Sequence, residues 1–363
     1  MSIPFGAEAP TRLCHRKPEG SKAPPGGWLP FFNSLTLSVR WASGGPTSCY
    51  LPAFFDDGSN LEAKIAAWMA KKTVFFSNDK VSYKTTRALS SGTYGQVWEM
   101  EVNTPTQGYP SLLALKIFKQ PDSAEVAKEV GIVDMMNTID SRLGWGMDRV
   151  PACAFVDDDN APCVLMARAS AGAVPSTVAD EAEALEVVKA ACLEMMSMHS
   201  AYGLVCFDAK PANFLLDCPP GRGGRPRAVI RAADYGGYAL PGRVSWCTFP
   251  PPWLRKTSQD GVGCRVSEET GVYGLLTFFM ILSGADTQIL QFNGVLPRTT
   301  MQAGDADKVR HLVEYRRRMQ THPPAVRDFI NYCLQNVGTS SGGVVTLEGA
   351  GRVLGVTEVI VVD

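Results

Sequence analysis

The chain has 363 residues, 45% of them apolar and 20% charged, which excludes fibrous and wholly disordered classes and predicts one large or two moderate cores. Its 35 basic and 36 acidic residues leave a formal charge of -1. That balance predicts neither nucleic acid nor an anionic membrane as a partner.

Residues 1–30 are rich in proline and glycine and poor in aliphatics, so they read as a flexible arm. Residues 31–81 form an N-terminal extension, in which LTLSVRW alternates like a strand and LEAKIAAWMAKK, 61–72, has the spacing of a short amphipathic helix. Three strands follow, VSYKTTRAL, QVWEMEV and SLLALKIF, and then a helix over 122–139. ACAFV and CVLMA close a small sheet near residue 167. Beyond Ser176 the pattern becomes mostly helical: 179–201, the apolar GVYGLLTFFMILSG, DADKVRHLVEYRRRMQ and AVRDFINYCLQNV. Strands followed by helices make an α+β layout.

The ten cysteines show no CxxC spacing and no Asn-x-Ser/Thr sequon accompanies them, which fits free thiols better than zinc ligands or a disulfide framework. The first twenty residues lack an apolar signal-peptide core, and the apolar run Val272–Leu282 is too short to span a bilayer. A cytosolic or nuclear protein is expected.

Chemistry concentrates in a few places. In LSSGTYGQVW, Gly92 and Gly95 lie between two strands, where backbone N–H groups approach an anion without Cβ interference; a plain hairpin turn has the same composition. Lys116 is flanked by aliphatics in LLALKIF, a setting that charge avoids unless paired, and Glu129 on the next helix is the expected partner. FDAKPANFLLD crowds Asp208, Lys210 and Asn213 onto a loop between a helix and a strand. Asp234, before two glycines in AADYGG, adds a carboxylate; with the Asn213 amide it makes a hard-oxygen pair suited to a partly hydrated Mg²⁺ bound to phosphates.

Taken in order, these residues resemble the eukaryotic-type protein kinase superfamily over roughly residues 82–356. The glycine loop matches Gly92-Thr93-Tyr94-Gly95-Gln96-Val97, the strand lysine Ala114-Leu115-Lys116, and the helix glutamate Glu129. The catalytic loop matches Asp208-Ala209-Lys210-Pro211-Ala212-Asn213, and the Asp-x-Gly triplet Asp234-Tyr235-Gly236. The resemblance implies a bilobal fold, a small antiparallel β N-lobe at 82–169 and a larger α-helical C-lobe at 170–356, before a tail at 357–363.

It also implies roles. Ser90, Gly92, Gly95, Val97 and Ala114 would enclose ATP, and Lys116 would bind its α and β phosphates while paired with Glu129. Met166, or alternatively Leu165, would guard the back of the adenine site, with the Ala167–Arg168–Ala169 backbone as its hinge. Asp208 would accept the proton of a protein hydroxyl, Lys210 would neutralise the transferring phosphoryl group, and Asn213 and Asp234 would hold Mg²⁺. Lys210 followed by Pro211 resembles the serine/threonine branch. Two other classes compete: a nucleotide-binding pseudokinase scaffold, expected to have lost Lys116, Asp208 or Asp234, and a small-molecule phosphotransferase, which normally lacks the lysine two residues after the aspartate.

Departures from the family pattern are informative. Ser90 replaces the first loop glycine, and Cys206-Phe207-Asp208 stands for His-Arg-Asp, so an activation-loop phosphate would find no arginine. The segment Asp234–Pro252 is short, Pro251-Pro252-Trp253 replaces Ala-Pro-Glu, and Gly271 replaces an aspartate. The implied enzyme is an ATP- and Mg²⁺-dependent serine/threonine kinase that acts without activation-loop phosphorylation. Its partner is a protein substrate, and residues 1–81 either dock on the lobes or recruit a regulator. The arginines of PPGRGGRPR, 219–227, read as a solvated loop, and His199 as a structural histidine.

Overall fold

The computed structural model describes residues 36–41, 72–77, 81–92, 94–119, 123–143, 152–156, 162–169, 171–217, 229–245, 255–258, 261–284, 322–335 and 344–356. The described residues fall into two compact units, one ending at Ala169 and one beginning after it. The expected arm, the loop at 219–227, most of the helix at 61–72, the helix at 305–320, Pro251–Trp253 and the tail lie outside the described residues.

The first unit is a seven-stranded antiparallel sheet of β1 (Thr36–Trp41), β2 (Lys72–Ser77), β3 (Ser82–Ser91), β4 (Gly95–Val102), β5 (Leu112–Phe118), β6 (Ala152–Val156) and β7 (Pro162–Ala167). Their order is β1-β2-β3-β4-β5-β7-β6. β2 is a strand that the sequence reading did not anticipate: Lys72, read as the end of a helix, opens KTVFFS, whose β-branched and aromatic residues favour a pleated ladder. Through β1 and β2 the sheet continues across residue 81, since Phe75, Phe76 and Ser77 pair with Lys84, Tyr83 and Ser82.

Register decides which side chains share a face, because paired residues of neighbouring strands point the same way. Val97 pairs with Lys116 and Glu99 with Ala114; Lys116 pairs in turn with Val164, and Ala114 with Met166. One face therefore carries Val97, Glu99, Ala114, Lys116, Val164 and Met166. Leu113, Leu115, Ile117 and Leu165 point to the other face and are buried as well, which is why LLALKIF reads as apolar on both sides.

Helix α1 (Ala124–Leu143) follows β5. Its buried stripe is Val126, Glu129, Val133 and Met136, spaced three or four apart. A carboxylate in the middle of an apolar stripe demands a cation, and α1 contacts the sheet at β6 and β7.

The second unit is built on α2 (Glu181–Tyr202), α3 (Glu268–Leu282), α4 (Pro324–Cys333) and α5 (Leu347–Val353). Asp180 caps α2 by accepting from the Glu183 amide at 2.8 Å, and Gly203 ends it in the left-handed region at φ 68°. α3 begins with a reciprocal Ser267–Thr270 capping box and is buried nearly all round, so it forms the centre of this unit. Phe278 and Phe279 stack edge-on against Phe214 and Phe329 at 5.3 and 6.0 Å.

Short strands lie among these helices: β8 (Val205–Cys206) pairs with β11 (Tyr238–Ala239), and β9 (Phe214–Asp217) with β10 (Val229–Ala232). The region beyond Ser176 is mostly helical as expected, with a further small sheet that the sequence pattern did not place. β12 (Val244–Ser245), β13 (Arg255–Ser258) and β14 (Gly261–Arg265) make a three-stranded antiparallel sheet. Gly and polar residues dominate these strands; only β14 alternates, with Val262 and Cys264 interleaved with Gly261 and Gly263, and its pairing with β12 and β13 defines the sheet. Among the described residues no helix is long and apolar enough to cross a membrane.

Candidate functional site

Two constellations carry the residues singled out from the sequence, one in each unit. In the sheet unit, Lys116 Nζ donates to both Glu129 oxygens at 2.6 and 2.8 Å. The two side chains are only 11% and 4% exposed, so each is the other's compensation for desolvation. Nζ also lies 5.3 Å above the Phe118 ring.

The glycine turn is tied to this strand. Lys119 donates from its backbone to Tyr94 and from Nζ to the Gly92 carbonyl, at 2.8 and 2.6 Å. The Gly92 N–H is itself engaged by the Gly95 carbonyl at 2.9 Å, so that donor closes the turn. Gly95 is held for steric reasons: a Cβ there would sit 2.6 Å from the Ile117 carbonyl oxygen, whereas one at Gly92 meets nothing within 4 Å. Gly95→Ala is therefore expected to destabilise by about 1–3 kcal/mol in urea unfolding, by overpacking, and Gly92→Ala to be nearly neutral.

Ser90 is exposed and pairs with Val97 across β3 and β4. Ala114 and Met166 stand on the Lys116 face, and Leu165 on the opposite one, so of the two candidates for the back of the base site Met166 faces the lysine. Arg168, just beyond β7, turns its side chain back to Glu99 at 3.3 Å.

In the helical unit the loop at 207–213 is drawn together by its own polar groups. Lys210 Nζ donates to Asp208 Oδ2 at 2.8 Å. Asn213 Nδ2 donates to the Asp208 carbonyl and to Oδ2, at 2.8 and 3.1 Å. Because Nδ2 makes those bonds, Oδ1 is the Asn213 atom that would face a cation. The turn at 210–213 closes through the Asn213 amide and the Lys210 carbonyl at 2.9 Å.

Backbone bonds bring Asp234 beside this loop. Ala233 donates to the Asn213 carbonyl at 3.1 Å, and Phe207 to the Gly237 carbonyl at 2.9 Å. A Cβ at Gly237 would lie 3.5 Å from both Asn213 Nδ2 and Asp208 Cβ, an ordinary contact distance that shows how near the two segments run. No group of three His, Cys, Asp or Glu side chains able to hold a metal exists among the described residues. Asn213 and Asp234 are two hard-oxygen donors, a set that leaves the other positions of an octahedral Mg²⁺ to water and phosphate oxygens and so fits that ion.

Several supporting residues escaped the sequence reading. The loop rests on α3 at Gly271, Gly274 and Thr277, one residue every three along one side. A Cβ at Gly271 would come within 3.3 Å of the Cys206 carbonyl, and one at Gly274 within 3.0 Å of Ala209 Cβ. Thr277 Oγ1 donates to the Ala209 carbonyl at 3.4 Å and to the Gly274 carbonyl at 2.8 Å. The G-x-x-G-x-x-T spacing was the available signal.

Glu194, buried on α2, accepts from the Ala232 amide at 2.8 Å, two residues before Asp234. Burial first, and then the Cys206 thiol and the Glu194 carboxylate, push the Tyr238 phenol well above its ordinary range. Burial, aided by Asp208, pushes the Cys206 thiol up to about 12, so a neutral thiol stands where the family has histidine. Phe207, at the position of the family's arginine, lies in an apolar cluster with Val205, Ala239, Cys264 and Val266. His199 Nε2 lies 3.6 Å from Glu268 Oε1, and Glu268 Oε2 accepts from the Leu347 amide at 3.0 Å, a helix-joining contact on α3 and α5 rather than part of the loop.

No family model matches the sequence, and no curated protein does. The fold is similar to that in a solved structure described as "Structure of vaccinia related kinase 3", with a TM-score of 0.50 at 10% sequence identity, over 76% of this chain and 86% of that one. The chain thus has a protein kinase-like fold, a β-rich N-lobe and a helical C-lobe.

Proposed function

We propose that the chain is an ATP-dependent protein kinase that transfers the γ-phosphoryl group to serine or threonine hydroxyls. The observation that carries this is the loop in which Lys210 and Asn213 both bond the Asp208 carboxylate while Asn213 and the Asp234 segment are joined through the backbone. A base, a cation and two hard-oxygen donors in one short loop system match what phosphoryl transfer requires, which is positioning and charge compensation.

Lys116, fixed by Glu129, holds the α and β phosphates. Asp208 orients the substrate hydroxyl and takes its proton. Lys210 compensates charge on the phosphoryl group in flight, and leaves Asp208 to do so. Asn213 Oδ1 and the Asp234 carboxylate would hold Mg²⁺, which supplies neutralisation of the phosphate oxygens. The protein substrate is a proposal from the same chemistry, as are a regulatory partner for residues 1–81 and an intracellular setting.

Activation-loop phosphorylation is not needed. Phe207 offers no cation to a phosphate, and the cluster of Phe207 with Cys264 and Val266 fastens the segment after β14 to the loop by burial instead. The amide of Val266 donates to the Arg243 carbonyl at 2.8 Å, and its carbonyl accepts from Gly242 at 2.8 Å, which extends the β12–β14 pairing.

A thermal-shift titration tests the proposal. With ATP at about a hundred times its Kd, binding adds about 2.7 kcal/mol, enough to raise Tm by several degrees, and the gain requires Mg²⁺. Stabilisation that ignores Mg²⁺ favours a scaffold that binds nucleotide without turning it over. No stabilisation by nucleotide at all refutes the kinase assignment.

A further inference from the structure

Val187, Ala191, Glu194 and Met198 recur three or four positions apart on α2 and are all buried. A carboxylate thus stands inside an apolar stripe, only 6% exposed, where it needs donors to offset its lost hydration. One donor is the amide of Ala232, at 2.8 Å. Ala232 ends β10 and is fully buried, so its N–H has no water to turn to.

The next amide, that of Ala233, donates to the Asn213 carbonyl at 3.1 Å. Successive amides of an extended chain point opposite ways, so the two peptide units before Asp234 are tied from opposite sides, one to α2 and one to the 207–213 loop. Asp234 is itself extended, at φ -108° and ψ 90°. Beyond it, the Gly237 amide donates to the Asp234 carbonyl at 3.1 Å, and Phe207 donates to the Gly237 carbonyl at 2.9 Å. Three of these ties are backbone to backbone, and the one from Glu194 is made by a side chain. We propose that Glu194 is a positioning residue that, by fixing the Ala232 amide to α2, sets where the Asp234 carboxylate stands beside Asn213 and hence the affinity for Mg²⁺, a role that rests on the metal-holding pair proposed for Asn213 and Asp234.

An ion that demands octahedral geometry tolerates little displacement of its oxygen ligands, and a working constellation has to be held to about 0.5 Å. Asn213 is fixed by its own bonds to Asp208. Asp234 takes its place from the backbone on either side of it. Freeing the Ala232 amide therefore loosens one of the two hard-oxygen donors and leaves the other where it is. Support of this kind acts on metal affinity although the supporting group never touches the metal.

Titrating Mg²⁺ into the full chain at fixed ATP, with thermal stabilisation as the readout, tests this without any turnover. Glu194→Met, similar in volume but without an acceptor for the amide, is expected to raise the Mg²⁺ concentration at half effect by about 10- to 100-fold. Glu194→Gln keeps an oxygen for the Ala232 amide and should restore most of that loss. Amide hydrogen exchange on the metal-free chain reads the position directly, with faster exchange over residues 232–236 in the Met variant and parent-like exchange in the Gln variant. A carboxylate that served stability alone would lower the Tm of the metal-free Met variant and leave its Mg²⁺ midpoint within about twofold of the parent, a result that overturns the proposal and leaves the kinase assignment standing. A Gln variant as impaired as the Met variant overturns it as well, because the hydrogen bond would then not be what Glu194 supplies. If the Met variant does not fold, Glu194→Asp, a methylene too short to reach Ala232 from the same backbone, decides by the same midpoint. A parent chain whose response to ATP ignores Mg²⁺ removes the metal-holding pair and this role together, and is recognised before any substitution is made.

Discussion

Replacing Asp208 with alanine is expected to slow phosphoryl transfer by about 10²- to 10⁴-fold, the range for loss of a general base. The geometry makes alanine a blunt variant, because Asp208 Oδ2 also receives Lys210 and Asn213, and both lose a fixed partner when it goes. Asp208→Asn is the sharper one. It keeps an acceptor and the volume of the side chain but takes up no proton, so kcat at saturating MgATP should fall nearly as far while Tm and nucleotide binding stay close to the parent. Equal turnover of Asp208→Asn and the parent on a serine-containing peptide removes Asp208 from the role of base.

The second large effect is on stability. Lys116→Met with Glu129 retained takes both Nζ bonds from a carboxylate that is 4% exposed, and is expected to cost about 3–5 kcal/mol in denaturant unfolding. The double variant Lys116→Met with Glu129→Leu should recover most of that loss, since apolar side chains of similar volume replace a buried pair with little penalty. It should not recover nucleotide binding. A double variant as unstable as the single one would mean that the pair's worth lies in packing rather than in charge compensation.

Part of this molecule is legible along the chain. The apolar flanks of Lys116 announce a buried cation, and Glu129 falls within one helix of it. Asp208, Lys210 and Asn213 are within six positions of one another, so a single turn at Pro211–Asn213 suffices to converge them. The strands from Ser82 to Ala167 and the helices from Glu181, Glu268 and Pro324 follow from period-2 and period-3.6 patterns.

Other features depend on partners far away in sequence. β12 and β13 are too short and too polar to announce themselves, and they exist because β14 between them supplies their hydrogen bonds. Gly271 reads from the sequence as the loss of an aspartate, yet in the fold it belongs with Gly274 and Thr277 to the surface on which the 207–213 loop rests. The Gly92 amide, expected to face phosphate, is used to close its own turn.

What the sequence determines by itself is the set of groups whose chemistry is local: the charged residues in apolar runs, the polar loop before Phe214, and the periodicities that make strands and helices. Only the tertiary structure decides which of them share a face. Glu99 and Arg168 are 69 positions apart and Glu194 and Ala232 are 38 apart, and no local pattern links either pair. The physical reason is that sheet register and helix packing are fixed by the summed burial of many side chains. A single polar contact inherits its partner from that sum.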